Sequence, residues 1–128
     1  MRLLVNSAAR FAWDGFGEFS SAEFDEHMHT NVRAPIYLIE ELAARHGGGD
    51  ALVINMLDSK LAAPNPDFLS YTLSKQALLG LTGLAATALA GKRIRQAVPD
   101  RLRPGPGRGR PRPRGRPGED AAPAHRRG

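Results

Sequence analysis

Apolar residues in this chain fall into two short unbroken runs and two stripes at helical spacing. The first run, RLLVNSA over residues 2–8, is closed by Asn and small residues and predicts a buried strand. RFAWDGFGEF follows, with Gly15 and Gly17, and predicts a loop. Ser20, with Glu23 three residues on, has the spacing of a capping box and starts a helix. Met28, Val32, Pro35, Ile36, Ile39, Leu42 and Ala43 then recur on one face, which predicts a long helix over about 21–46. Pro35 inside that pattern should kink or locally break it. HGGGD at 46–50 is a stop signal. ALVINML at 51–57 predicts a second buried strand, and its unbroken apolar run suits a parallel sheet covered on both faces. DSKLAAPNPDF is a loop with two prolines, and a second helix should begin near Asp67 or Ser70 and run to about Ala90. The order strand, helix, strand, helix is a βαβ unit plus one helix, with a right-handed crossover expected.

Composition divides the chain. Residues 1–91 hold six Lys/Arg against ten Asp/Glu, a net of −4, whereas residues 92–128 hold twelve against three, a net of +9. The overall +5 therefore belongs to the C-terminal stretch. Residues 96–128 are mostly Arg, Pro and Gly and contain no aromatic residue. Such a segment cannot bury enough apolar surface to offset its ordering entropy, and it is expected to be disordered. There is no cysteine, which excludes disulfides and thiolate metal sites and fits a cytoplasmic setting. No stretch approaches the roughly 20 apolar residues of a membrane span. The most apolar window, ALLGLTGLAATALA, is better taken as a buried helix.

The candidate chemistry lies in INMLDSKLAAPNPDFLSYTLSKQALLGLT, residues 54–82. Asp58 closes the second strand, Tyr71 follows thirteen positions later, and Lys75 four after that. On a helix Tyr71 and Lys75 share one face. An ammonium beside a phenol favours phenolate and lowers the tyrosine pKa, so that the phenol can pass a proton near neutral pH. Asp58 lies at the carboxyl end of a strand, where open α/β sheets place ligands.

These residues resemble the short-chain dehydrogenase/reductase family. YTLSK matches its Tyr-x-x-x-Lys signature, LVNSAA is similar to its Asn-Asn-Ala strand end with Ser7 in place of the second Asn, and TNV at 30–32 is similar to its helix motif. Most members have serine where Asp58 stands; aspartate there is similar to the pteridine-reductase branch, as is Phe11 shortly after LVNSAA. The resemblance covers residues 1–95 and implies an α/β fold: part of a Rossmann-type, doubly wound parallel sheet, followed by a disordered tail at 96–128. It implies that Tyr71 donates a proton, Lys75 holds the nicotinamide ribose, Asn31 positions a relay water and Asp58 assists protonation or binds a pterin. Asn6, Ser7 and Ala8 would line the cofactor cleft, and Phe11 would stack on a pterin- or folate-like substrate. The implied cofactor is NADPH, and members homo-oligomerise through their two long helices. Ser59, twelve residues before Tyr71, is a rival for the serine role; Trp13 and Phe16 could serve as packing or stacking residues beside Phe11.

Other features carry less. His27 and His29 point about 200° apart on a helix of 3.6 residues per turn, so they are not a chelating pair; a solvated helix face is expected, and no metal site. GFG at 15–17 has no third glycine in register for a dinucleotide fingerprint. The glycine-rich pyrophosphate turn of the family has no counterpart in the chain, which is therefore expected to be an incomplete, inactive reductase. The competing class is a non-catalytic α/β remnant whose basic tail contacts nucleic acid or acidic partners; the tail lacks aromatic interleaving, which disfavours nucleic acid. An out-of-frame reading of GC-rich DNA from about residue 96 is the favoured origin of the tail. An uninterrupted genomic frame, with tail peptides detected, would exclude it.

Overall fold

The structure is a computed structural model that describes residues 1–99 of the 128. The expected tail from 100 onward lies outside the described residues. The elements in chain order are β1 (Arg2–Asn6), α1 (Ser21–Met28), a π-helical stretch (His29–Arg33), α2 (Ala34–Arg45), β2 (Ala51–Asn55), a 3-10 turn (Ser59–Ala62), α3 (Leu69–Leu89), a second 3-10 turn (Ala90–Lys92) and β3 (Ile94–Ala97). The strands form one parallel sheet in the order β1-β2-β3. Arg2 to Asn6 pair with Ala51 to Asn55, and Ala51 to Ile54 pair with Ile94 to Ala97. This is an α/β architecture consistent with part of a Rossmann fold.

Three features differ from the sequence pattern. First, β3 is an extra strand, so Gln96 and Ala97, assigned to the tail on composition, belong to the sheet. Second, β1 is an edge strand, and Leu3 and Val5 are 59% and 46% exposed rather than buried. Its hydrophobic run is covered on one side only, whereas β2, flanked by both other strands, buries Ala51 and Val53 completely. Third, α3 is not buried all round: Leu84 is 72% exposed. Its buried stripe is polar toward the N-terminus (Tyr71, Ser74, Lys75) and largely apolar beyond (Leu78, Ala85). Among the described residues no helix is long and apolar enough to cross a membrane.

The expected helix break at Pro35 takes a specific form. Proline has no N–H for the Asn31 carbonyl four residues back. The chain widens into the π-helical stretch just before it, and the Ala34 N–H bonds the His29 carbonyl five back. Pro35 then sits in the first turn of α2, where its missing donor costs nothing. Ser20 caps α1 as predicted, its Oγ accepting the Glu23 N–H at 3.1 Å. The Glu23 carboxylate grips Arg10, at 2.6 and 2.9 Å, so only half of a capping box forms.

The core joins Ile39, Ala51, Val53, Ala85 and Ile94, with Leu4, Leu42 and Leu81 packed against them. At the carboxyl end of the strands a buried polar ladder replaces apolar packing. Asn6 Nδ2 donates to Asn55 Oδ1 (2.8 Å), Asn55 Nδ2 to Thr82 Oγ1 (2.9 Å), and the Thr82 hydroxyl to the Leu78 carbonyl (2.8 Å). It ties β1, β2 and α3 together at the end of the sheet that carries the site. Ile94 is 1% exposed, so Ile94→Ala should cost about 2–5 kcal/mol. A urea midpoint unchanged by this substitution would show that β3 is not part of the cooperative fold.

Candidate active site

The loop after β1 is built as a strap across the beginning of α3. At Arg10 the main-chain N–H donates to Asn31 Oδ1 (2.8 Å), and its carbonyl accepts from Asn31 Nδ2 (3.1 Å). Two residues on, the Ala12 N–H donates to His27 Nε2 at 3.1 Å. Two further, the Asp14 carbonyl accepts the Leu69 N–H (3.1 Å), and the Asp14 carboxylate accepts the Ser70 N–H (2.8 Å) and the Ser70 hydroxyl. The loop is thus tied at residues 10, 12 and 14, while Phe11 and Trp13 between them are 62% and 50% exposed.

Asp14 is the N-terminal cap of α3, supplied from far along the chain. The residue at the cap position itself, Phe68, has φ 55° and ψ 54° and makes no side-chain cap bond. A left-handed backbone costs a residue with a Cβ roughly 1–2 kcal/mol, which the Asp14 bonds offset. Burial would push the Asp14 carboxyl up. The hydrogen bonds from Ser70 and from the Ser20 N–H, with His27 nearby, outweigh it and hold the group below the usual carboxylate range.

Capped in this way, α3 carries Tyr71 and Lys75 inward, 7% and 4% exposed. The Tyr71 hydroxyl donates to Asp58 Oδ2 at 2.7 Å. Lys75 Nζ donates to the Met56 carbonyl at 2.9 Å and lies 5.9 Å from the Tyr71 ring centroid. Phe11 meets Tyr71 edge-on at 4.7 Å and stacks on Phe68 at 4.5 Å with 16° between planes. His27 lies edge-on to Tyr71 at 6.0 Å.

The expected Tyr71 pKa has the wrong sign. Burial, the hydrogen bond to Asp58 and the charge of Asp58 together hold the phenol well above its ordinary value. The Lys75 ammonium is itself pushed down by burial, against the pull of Asp58. As arranged, Tyr71 is a firmly protonated donor, kept so by burial first and by Asp58 second.

The structure therefore brings Asp58, Tyr71, Lys75 and Phe11 together. Asn31 stands behind them, 1% exposed, its amide spent on Arg10 and on Ser74 Oγ (2.9 Å), while Ser74 bonds the Tyr71 carbonyl (2.6 Å). Asn6, Ser7 and Ala8 line a pocket of about 170 Å3 with Thr30 and Pro35. Asn6 Oδ1 is buried with no hydrogen-bond partner among the described residues, an acceptor available to a polar ligand. His27 is corrected from a solvated face to full burial, because Nε2 takes the Ala12 N–H while Nδ1–H donates to the Glu23 carbonyl at 2.7 Å. His29 is exposed, and among the described residues no cluster of His, Cys, Asp or Glu could hold a metal ion. Asp14, Ser74, Asn55 and Phe68 escaped sequence reasoning. Only Ser74, inside YTLSK, sat where a motif could have pointed to it.

A parallel sheet thus brings an acid, a phenol and an amine together at its carboxyl edge. The family model described as Enoyl-(Acyl carrier protein) reductase matches residues 1–98. Dehydrogenase/reductase SDR family member 4 of Homo sapiens is 29% identical over 96 residues, 73% of this chain and 34% of that protein. Pteridine reductase 1 of Leishmania tarentolae is 36% identical over 73 residues, 52% of this chain and 25% of the relative. Among solved structures, FolM Alternative dihydrofolate reductase 1 from Brucella suis, in complex with NADP, superposes with a TM-score of 0.73 at 38% identity, covering 77% of this chain and 40% of that one. The chain belongs to the short-chain dehydrogenase/reductase family, oxidoreductases built on a Rossmann-type fold. It spans about a third of the length of the first curated relatives it matches.

Two outcomes are expected. In a Tyr37→Phe background, ultraviolet titration should find Tyr71 ionising above the ordinary phenol range, and Asp58→Asn should bring it down; an unchanged titration would disprove the pairing. Asp14→Ala should cost about 1–3 kcal/mol at neutral pH, because Ser70 loses its acceptor. A lowered native pKa contributes stability above the unfolded value, lost as pH falls through the native one. Urea unfolding of parent and variant should therefore converge in acid, and a gap independent of pH would contradict the assignment.

Proposed function

We propose that this chain carries the proton-delivery half of an NADPH-dependent reductase acting on a pterin- or dihydrofolate-like substrate. The observation behind the reading is the Tyr71–Asp58 hydrogen bond beside the Phe11 ring. An aspartate there can hydrogen-bond a ring nitrogen and amino group, and a phenyl ring can stack on a flat heterocycle. Two of the matched relatives are named as a pteridine reductase and an alternative dihydrofolate reductase.

The residues present suit the nicotinamide-ribose end of the cofactor. Lys75 uses one donor on Met56 and has two more to offer, and Asn6 Oδ1 offers a buried acceptor beside Ser7 and Ala8. NADPH would supply the hydride when bound. Tyr71 hands its proton to the substrate atom that must gain one. That transfer would leave phenolate facing carboxylate, so Asp58 takes a proton from solvent for each turnover, and Lys75 limits the charge that develops. The rate should accordingly fall as pH rises. Asn31 holds the loop and Ser74 in place, and with both amide hydrogens engaged its side chain has no donor left for a relay water. The exposed faces of α2 and α3, with Tyr37 63% and Leu84 72% exposed, suit self-association through these helices.

On its own the chain is expected to hold NADPH too weakly for a rise in melting temperature. The direct test grafts residues 1–98 into the matching segment of the Brucella suis FolM protein. The chimera should reduce dihydrobiopterin with NADPH, and Tyr71→Phe should lower kcat about a hundredfold or more. A folded chimera without that activity, or one indifferent to Tyr71→Phe, would contradict the proposal.

A further inference from the structure

Phe68 stands where glycine would be free of strain, at φ 55° just before α3. The fold nevertheless holds a bulky ring there. Leu69 and Ser70 donate to Asp14, and Thr72 N–H bonds the Phe68 carbonyl at 2.8 Å, so the backbone is pinned on its helix side. The pinned ring lies flat against Phe11, centroids 4.5 Å apart and planes 16° apart. Tyr71 meets the same Phe11 edge-on. With Phe68 flat against it and Tyr71 perpendicular to it, Phe11 is still 62% exposed, so much of the ring faces solvent.

We propose that Phe68 is a positioning residue for substrate selection: it backs Phe11 and presents the outer face of that ring as a fixed platform for a planar heteroaromatic substrate beside the Tyr71 hydroxyl. The inference rests on the pterin-type reading and adds to it a residue that neither the motif nor the spacing marks. A flat conjugated ring gains a full stacking face from a platform that cannot rotate away, while a small aliphatic carbonyl gains little. Without its backing, Phe11 would have to be ordered by the ligand, and affinity would fall by that ordering cost.

The test uses the full 128-residue chain with biopterin as the probe, followed by quenching of the single tryptophan, Trp13. Phe68→Gly should leave the melting temperature unchanged or raised, since glycine suits the left-handed backbone, yet weaken biopterin about tenfold. Phe68→Asn, which also tolerates that backbone, should behave alike, and Phe68→Tyr should restore affinity. Ring resonances of Phe11 in phenylalanine-labelled protein give a second readout that needs no ligand. They should lose their stacking shifts and average in Phe68→Gly. Equal biopterin affinity in parent and Phe68→Gly overturns the inference and leaves the substrate reading standing. If biopterin does not bind even the parent chain, the FolM chimera decides the substrate reading and the Phe11 resonances decide the platform, unchanged shifts in Phe68→Gly overturning it and averaged shifts supporting it.

Discussion

The carboxylate of Asp14 holding the first turn of α3 is the contact on which the site depends. It is 1% exposed and reaches Ser70 across fifty-six residues of sequence. A buried carboxylate is costly unless hydrogen-bonded, and the donors of a helix N-terminus are the groups that repay it. Because those donors belong to Ser70 and its neighbours, the same bonds fix where Phe68 turns and where Tyr71 begins its face. The Arg10 and Ala12 amides, four and two residues earlier, are tied in the opposite sense, donating to Asn31 and His27, so the loop is held at alternate positions. Loop precision here comes from side-chain acceptors on the helices rather than from a strand ladder.

With the helix fixed, the electrostatics of the site follow. Tyr71 and Lys75 are drawn inward on a helix face whose burial disfavours charge on either. Asp58 reinforces the first effect and opposes the second: it strengthens the hold of the phenol on its proton and supports the ammonium. A phenol held in this way stays protonated at rest. The half-polar, half-apolar stripe of α3 expresses the same division: its first turns serve the site, while Leu78 and Ala85 are buried farther along.

Much of this was legible in the sequence. The two apolar runs, the Ser20 cap, the break at Pro35 and the Asp58–Tyr71–Lys75 spacing all depend on local pattern, and each has its counterpart in the structure. What was missed depends on distance. Asp14 looked like a loop acid because its partner lies far along the chain, and His27 looked solvated because the backbone that buries it belongs to another segment. The short IRQA strand, only Ile94 of which is buried, was hidden by the Arg- and Pro-rich residues after it. The sign of the Tyr71 shift was misjudged because sequence spacing revealed the neighbouring ammonium but neither the burial of the phenol nor the 2.7 Å approach of Asp58.

Amide hydrogen exchange reads the strap most directly. The Arg10 and Ala12 amides lie in irregular backbone, yet each donates to a buried side chain, and those of Leu69 and Ser70 donate to Asp14. All four should be protected to the same level as the β2 amides, exchanging only on global opening. Exchange of Arg10, Ala12 and Ser70 at the rate of an open loop would contradict a fixed strap, and with it the placement of Tyr71 on Asp58.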